Sequence, residues 1–241
     1  MRLSTNELKT KYRFNIIKEE VQTSIGTLYL SKVKDYQRFF SVCGILFLER
    51  HELSSLLEKI DGRLAKMYES RHIFDFLSII NRSGVSSPEF IIFLDLYRNA
   101  FKFIFHDDVL FNIKDAVEYD EMLLLIKLTH GLPVELENPN PVIARLDRIK
   151  KKMNSKNGVS VDFDSRYSTV WIASGQEPDN MTIYKFNELF HRFSAIKNHD
   201  MSVLFKTVDV SGNVEISEWF EDKFKDTTNY VDLDQMKNKT F

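Results

Sequence analysis

Cysteine is almost missing from this chain. Cys43 is the only one in 241 residues, so no intramolecular disulfide forms and no cysteine cluster is available for zinc or iron–sulfur. That usage fits a reducing compartment. Glycine (8) and proline (5) are scarce, and a chain poor in backbone breakers favours helices and few long loops. Charge of one sign is lacking too. The 33 Lys and Arg nearly balance 35 Asp and Glu, for a net charge of -2, which argues against a surface given over wholly to nucleic acid. Long apolar runs are absent: Phe90 to Leu94 is broken by Asp95, and Met122 to Ile126 by Lys127. Neither approaches the ~20 residues of a membrane span. The opening Met1-Arg2-Leu3-Ser4-Thr5-Asn6 carries no apolar core of a secretory signal. Also missing are a glycine-rich phosphate loop, a G-x-S-x-G elbow, a C-x-x-C pair and a histidine pair of zinc-protease spacing.

What is present is apolar and aromatic. Hydrophobic residues make up 43%, charged residues 28%, and there are 20 Phe. That is enough apolar side chain to offset chain entropy and build a core. The composition describes a soluble, helix-rich, intracellular protein.

The order of residues predicts an α+β fold, predominantly α-helical, with two small β-hairpins. Residues 12–33 alternate loosely (Phe14, Ile16, Val21, Ile25, Leu28, Leu30) around a turn at Ser24-Ile25-Gly26, the first hairpin. Lys34 to Cys43 reads as a short helix ended by Gly44. Residues 49–81 repeat apolar side chains at three- and four-residue spacing, broken at Asp61-Gly62. Ser87-Pro88 opens a helix running to about Ala100. Phe101–Phe105 and Val109–Ile113, rich in β-formers around His106-Asp107-Asp108, predict the second hairpin. Residues 115–130 are helical up to Gly131 and Pro133. Pro141 starts a further helix to about Asn154; residues 161–173 and 180–197 are helical, 201–208 mixed, and 214–224 a last helix. The Pro-rich turn Asn138-Pro139-Asn140-Pro141 divides an N-terminal α+β domain (1–132) from a C-terminal helical domain (138–225), with a polar, frayed tail at 226–241.

Several groupings invite a chemical reading. Asp209, Ser211 and Asn213 occupy positions 1, 3 and 5 of a calcium-loop pattern, but position 6 is Val214 rather than glycine and position 12 is Phe220 rather than a bidentate carboxylate. A turn before the last helix is the simpler account. His106-Asp107-Asp108 has metal-ligand or acid–base chemistry, but a solvated hairpin turn is the simpler account. His130 precedes Gly131 at a helix end, where a cation complements the dipole. Cys43, on an apolar helix face, reads as core. Arg145, Arg148, Lys150, Lys151, Lys152 and Lys156 form a basic run opposed by Asp147, yet no aromatics interleave to stack bases. A solvated face or an acidic protein partner suits it better than nucleic acid. No catalytic, cofactor-binding or metal residue is assigned, and no cofactor is expected.

The second half carries a characteristic order of segments. A helix at Tyr119–Ile126 leads to the Asn138–Pro141 turn and a basic helix. Val161-Asp162-Phe163-Asp164 then opens an amphipathic helix through Trp171. Met181-Thr182-Ile183-Tyr184-Lys185-Phe186 continues to Phe193, and Val214 to Trp219 closes the series. Leu30 to Phe39 in the first half adds a strand-to-helix entry. This order resembles the tail-assembly chaperones, and related tail or baseplate assembly proteins, of tailed bacteriophages. The resemblance implies a non-enzymatic role in the host cytoplasm: coating the long, aggregation-prone tape-measure protein until tail-tube subunits displace the chaperone. A baseplate or tail subunit retained in the virion is the alternative it implies. Partners would be phage tail proteins, with no membrane, with self-association open.

Overall fold

The computed structural model describes residues 5–13, 17–69, 71–83, 88–132, 162–209 and 215. The 138–141 turn, the helix expected from Pro141, the 145–156 basic run, Ser87, the 214–224 helix (apart from Glu215) and the 226–241 tail lie outside them.

Two compact units account for the chain. One comprises Met1–Leu132 together with Glu177–Glu188; the other comprises Pro133–Gln176 and Leu189–Phe241. In the first unit, helix α1 (Thr5–Tyr12) precedes a hairpin of β1 (Glu20–Gln22) and β2 (Thr27–Tyr29). The strands pair antiparallel, Glu20 with Tyr29, Val21 with Leu28 and Gln22 with Thr27. Strand alternation turns Val21 and Leu28 inward, and both are buried. The turn is closed by Thr23, whose amide and hydroxyl both donate to the Gly26 carbonyl, at 3.0 and 2.6 Å.

Helices follow: α2 (Tyr36–Cys43), α3 (Arg50–Ile60), α4 (Gly62–Tyr68), α5 (Ile73–Ser83), α6 (Pro88–Phe105) and α7 (Ala116–Thr129). Their boundaries follow from capping chemistry. Asp61 ends α3 in extended backbone and accepts from the Arg63 amide at 2.8 Å to start α4. Asp115 accepts from the Glu118 amide at 2.8 Å to start α7. A single-turn 3-10 segment, Val33–Asp35, leads into α2, and Gly44–Phe47 continues as another rather than ending the helix outright.

The predominantly helical α+β class is as expected, and the first hairpin forms. The second does not. Phe101–Phe105 completes α6, and Leu110–Asn112 is a 3-10 turn. The reason is periodicity. Phe90, Phe93, Leu94, Tyr97, Phe101, Ile104 and Phe105 keep one helical face, and all are buried, so tertiary burial overrides the β-propensity of Phe and Ile. The helix stops where His106 adopts the left-handed region, φ 60. Around α6 an aromatic core assembles: Phe76 on Phe93 (5.9 Å between centroids), Phe93 on Tyr97 (5.4 Å), and Tyr119 beside Phe74 (5.6 Å) and Phe101 (6.0 Å).

The second unit contains α8 (Phe163–Ser174) and the larger part of α9 (Ile183–Val208). Asp162 caps α8 by accepting from the Ser165 amide at 2.7 Å, and Gly175 ends it at φ 68 with its amide on the Trp171 carbonyl. Arg166 of α8 lies over the Phe190 ring of α9 at 5.1 Å. Residues 201–208 are regular helix rather than mixed. The segment Glu177–Glu188, expected in the C-terminal domain, belongs to the first unit, and its hydrogen bonds, described next, explain why.

Candidate functional site

Lys32 and Thr182 form an antiparallel bridge. Val33 N–H donates to the Met181 carbonyl at 2.9 Å, and Ile183 N–H donates to the Ser31 carbonyl at 2.8 Å. The chain from Met181 thus acts as a short strand beside residues 31–33, and α9 starts there with Ile183, Phe186 and Asn187 buried. His130, at the C-terminal end of α7, sits behind this bridge. Its ring stacks on Phe39 (4.3 Å, 12°). Nδ1 lies 2.8 Å from the Ile126 carbonyl and donates to it, which leaves Nε2 bare to accept the Ser31 amide at 3.2 Å. Burial pushes its pKa from 6.5 down to about 4, with the Ile126 hydrogen bond opposing. His130 is therefore neutral at pH 7. The helix-dipole cation suggested by its position next to Gly131 is not what it supplies.

Asn187 completes the junction. Its side-chain amide donates to the carbonyls of His130 (3.1 Å) and Gly131 (3.5 Å), two of the acceptors left over at the end of α7. Gly131 is at φ 61, and a β-carbon there would lie 2.9 Å from Cβ of Asn187. Only glycine combines that backbone with that approach.

The remaining candidates separate. Cys43 is buried, and desolvation pushes its thiol up to about 12. It is an inert core group at neutral pH. His106-Asp107-Asp108 does not converge: the His106 ring stacks on Tyr29 (4.3 Å, 10°), Asp107 accepts the Asp108 amide at 2.8 Å, and Asp108 pairs with Arg98 at 2.7 Å. Of the calcium-loop pattern only Asp209 and Glu215 are among the described residues, and among those residues no group of three or more His, Cys, Asp or Glu is placed to hold a metal. No helix of the described residues is long and apolar enough to cross a membrane.

One His–Asp pair has no sequence signature. His72 Nε2 lies 3.0 Å from Asp120, and its Nδ1 accepts the Phe74 amide at 3.2 Å. The partners are 48 residues apart. Both ring nitrogens are committed, one to the carboxylate and one to the first turn of α5, so the pair serves as a cap and a tie rather than as a free base.

The second unit offers surface chemistry instead. Along α9, Met201, Leu204, Phe205 and Val208 fall at i, i+3, i+4 and i+7, one stripe of a helix. They are 47, 56, 52 and 69% exposed, whereas Ala195 and Ser202, on another face, are buried. At 1.5 Å per residue the stripe is about 10 Å long. On α8, Trp171 and Ile172 are exposed as well. Contiguous exposed apolar side chains of this size mark contact surfaces more often than scattered ones do. No protein-family model matches the chain, and neither a curated protein nor a solved structure matches it.

Proposed function

We propose that this chain is a non-enzymatic tail-assembly chaperone of a tailed bacteriophage, acting in the host cytoplasm by holding helical segments of the tape-measure protein. The observation that carries this reading is the Met201–Leu204–Phe205–Val208 stripe. An amphipathic helix binds by laying i, i+3, i+4 and i+7 anchors against a complementary apolar face. A chaperone that must later be displaced needs such a contact to be small and apolar rather than large and interlocked. Trp171 on α8 adds a large amphipathic ring of the type that anchors interfaces. The order of segments from Tyr119 to Phe193 supplies the link to phage tails.

Tagged protein from infected cells, with mass spectrometry of purified particles, tests the proposal. Co-purification of the tape-measure protein, with this chain missing from particles, is the expected outcome. Fixed stoichiometry in particles would make it a structural tail or baseplate subunit instead.

A further inference from the structure

The first unit holds an open groove of about 930 Å³ that plays no part in the proposed chaperone contact. Four stretches build it: the base of the hairpin at 19–20, the segment 29–35, the α2 face bearing Arg38 and Val42, and the α6 face bearing Asn99, Lys102 and Phe103 with His106 just past its end. Asn99, Lys102 and Phe103 fall at i, i+3 and i+4 on one side of α6, and His106 follows directly after the helix end. Its volume lies within the ~300–1,000 Å³ typical of small-molecule sites.

Three features define what fits. Lys34, Arg38 and Lys102 all line the groove and make no ion pair among the described residues, whereas Lys32 is engaged with Glu19 at 3.5 Å. Planar rings are already ordered there. Tyr29 and His106 stack face to face (4.3 Å, 10°), and the Arg38 guanidinium lies 5.4 Å from the centroid of Phe103. The His106 side chain is exposed, so its stack can extend by one more ring. Carboxylates of Glu20 and Asp35 share the lining. They repel a bare polyanion or an acidic peptide, and they accept from hydroxyls. Cations, a stacking platform, an amide at Asn99 and hydroxyl acceptors together match a ligand that joins phosphate to a hydroxyl-bearing sugar and a planar base.

We propose that this groove binds a nucleoside phosphate, the base continuing the Tyr29–His106 stack and the phosphates meeting Lys34, Arg38 and Lys102. The sugar hydroxyls would donate to the carboxylates of Glu20 and Asp35 that share the lining.

Calorimetric titration of the full chain with ATP, inorganic triphosphate and a thymidine oligonucleotide tests it. ATP is expected to bind with a dissociation constant at or below about 1 mM. Triphosphate should bind at least about fivefold more weakly, since it lacks the stacking part. Arg38→Gln with Lys102→Gln should weaken ATP by about tenfold or more. His106→Asn, chosen because Asn tolerates the left-handed backbone, should weaken ATP but not triphosphate. Thermal unfolding of each variant confirms that the fold is retained. No binding of ATP at millimolar concentration overturns the proposal. So does triphosphate binding as tightly as ATP, an oligonucleotide binding more tightly than ATP, or affinity indifferent to both sets of substitutions in folded protein.

Discussion

The two ends of α9 are built from the same kinds of residue and do opposite things. At its start Ile183 and Phe186 are buried, and Asn187 caps the carbonyls at the end of α7. At its end Met201, Leu204, Phe205 and Val208 keep the same spacing and face outward. Helical periodicity makes a face; whether that face is core or contact depends on what lies beside it. The start has residues 31–33 and α7 beside it, and hydrogen bonds from Val33, Ile183 and Asn187 tie it there. Among the described residues the end presents apolar side chains without that enclosure, and the proposed function assigns that face to a partner.

Truncating one phenylalanine at each end should separate core from surface most clearly. Phe186→Ala should cost about 3–5 kcal/mol, the loss of a fully buried ring and the cavity left behind. Phe205→Ala should stay within about 0.5 kcal/mol, as surface substitutions do. Chemical denaturation of both variants checks the pair. Equal losses would mean that the distal end is core as well.

Acid should act on the same junction. His130 is neutral in the fold, with its pKa lowered from 6.5 to about 4 by burial. The unfolded chain therefore takes up a proton across that window and the folded chain does not. Stability is full above about pH 6.5, falls as the pH drops towards about 4, and is flat in this term below it. The total is roughly 3 kcal/mol at ~1.4 kcal/mol per pKa unit. Unfolding curves from pH 7 to pH 4 should show this slope, and His130→Gln should flatten it.

A smaller effect comes from the backbone behind His130. Gly131→Ala should lose roughly 2 kcal/mol, because the β-carbon meets Asn187 and φ is positive. The smallest effect runs the other way. The Tyr119 hydroxyl is buried with no hydrogen-bond partner among the described residues, and burial raises its pKa well above 10.0. Tyr119→Phe should stabilise by about 1 kcal/mol, since an unmatched buried hydroxyl carries a desolvation penalty. A thermal midpoint below that of the parent protein would show that the hydroxyl is matched in solution.

Local chemistry made much of the fold legible. The Asp61-Gly62 break, the start of α7 after Asp115 and the stop at Gly131 are caps and turns whose causes lie within a few residues. Phe101–Phe105 was not legible as helix, because β-formers on a helical face look like a strand until α6 is seen to bury them. The docking of 177–188 was hidden for a different reason. Asn187 and the His130 carbonyl are 57 residues apart, and no short pattern announces such a pair. His72 with Asp120 is the same case. The apolar residues of 201–208 were visible, but their exposure depends on neighbours that sequence does not name.

The proposal that the distal face of α9 holds a helical tail protein is tested by capture with a variant that alters that face alone. Met201, Leu204, Phe205 and Val208 replaced together by serine should leave the thermal unfolding of the protein nearly unchanged and abolish co-purification of the co-expressed tape-measure protein. Undiminished capture by the folded variant would contradict the claim.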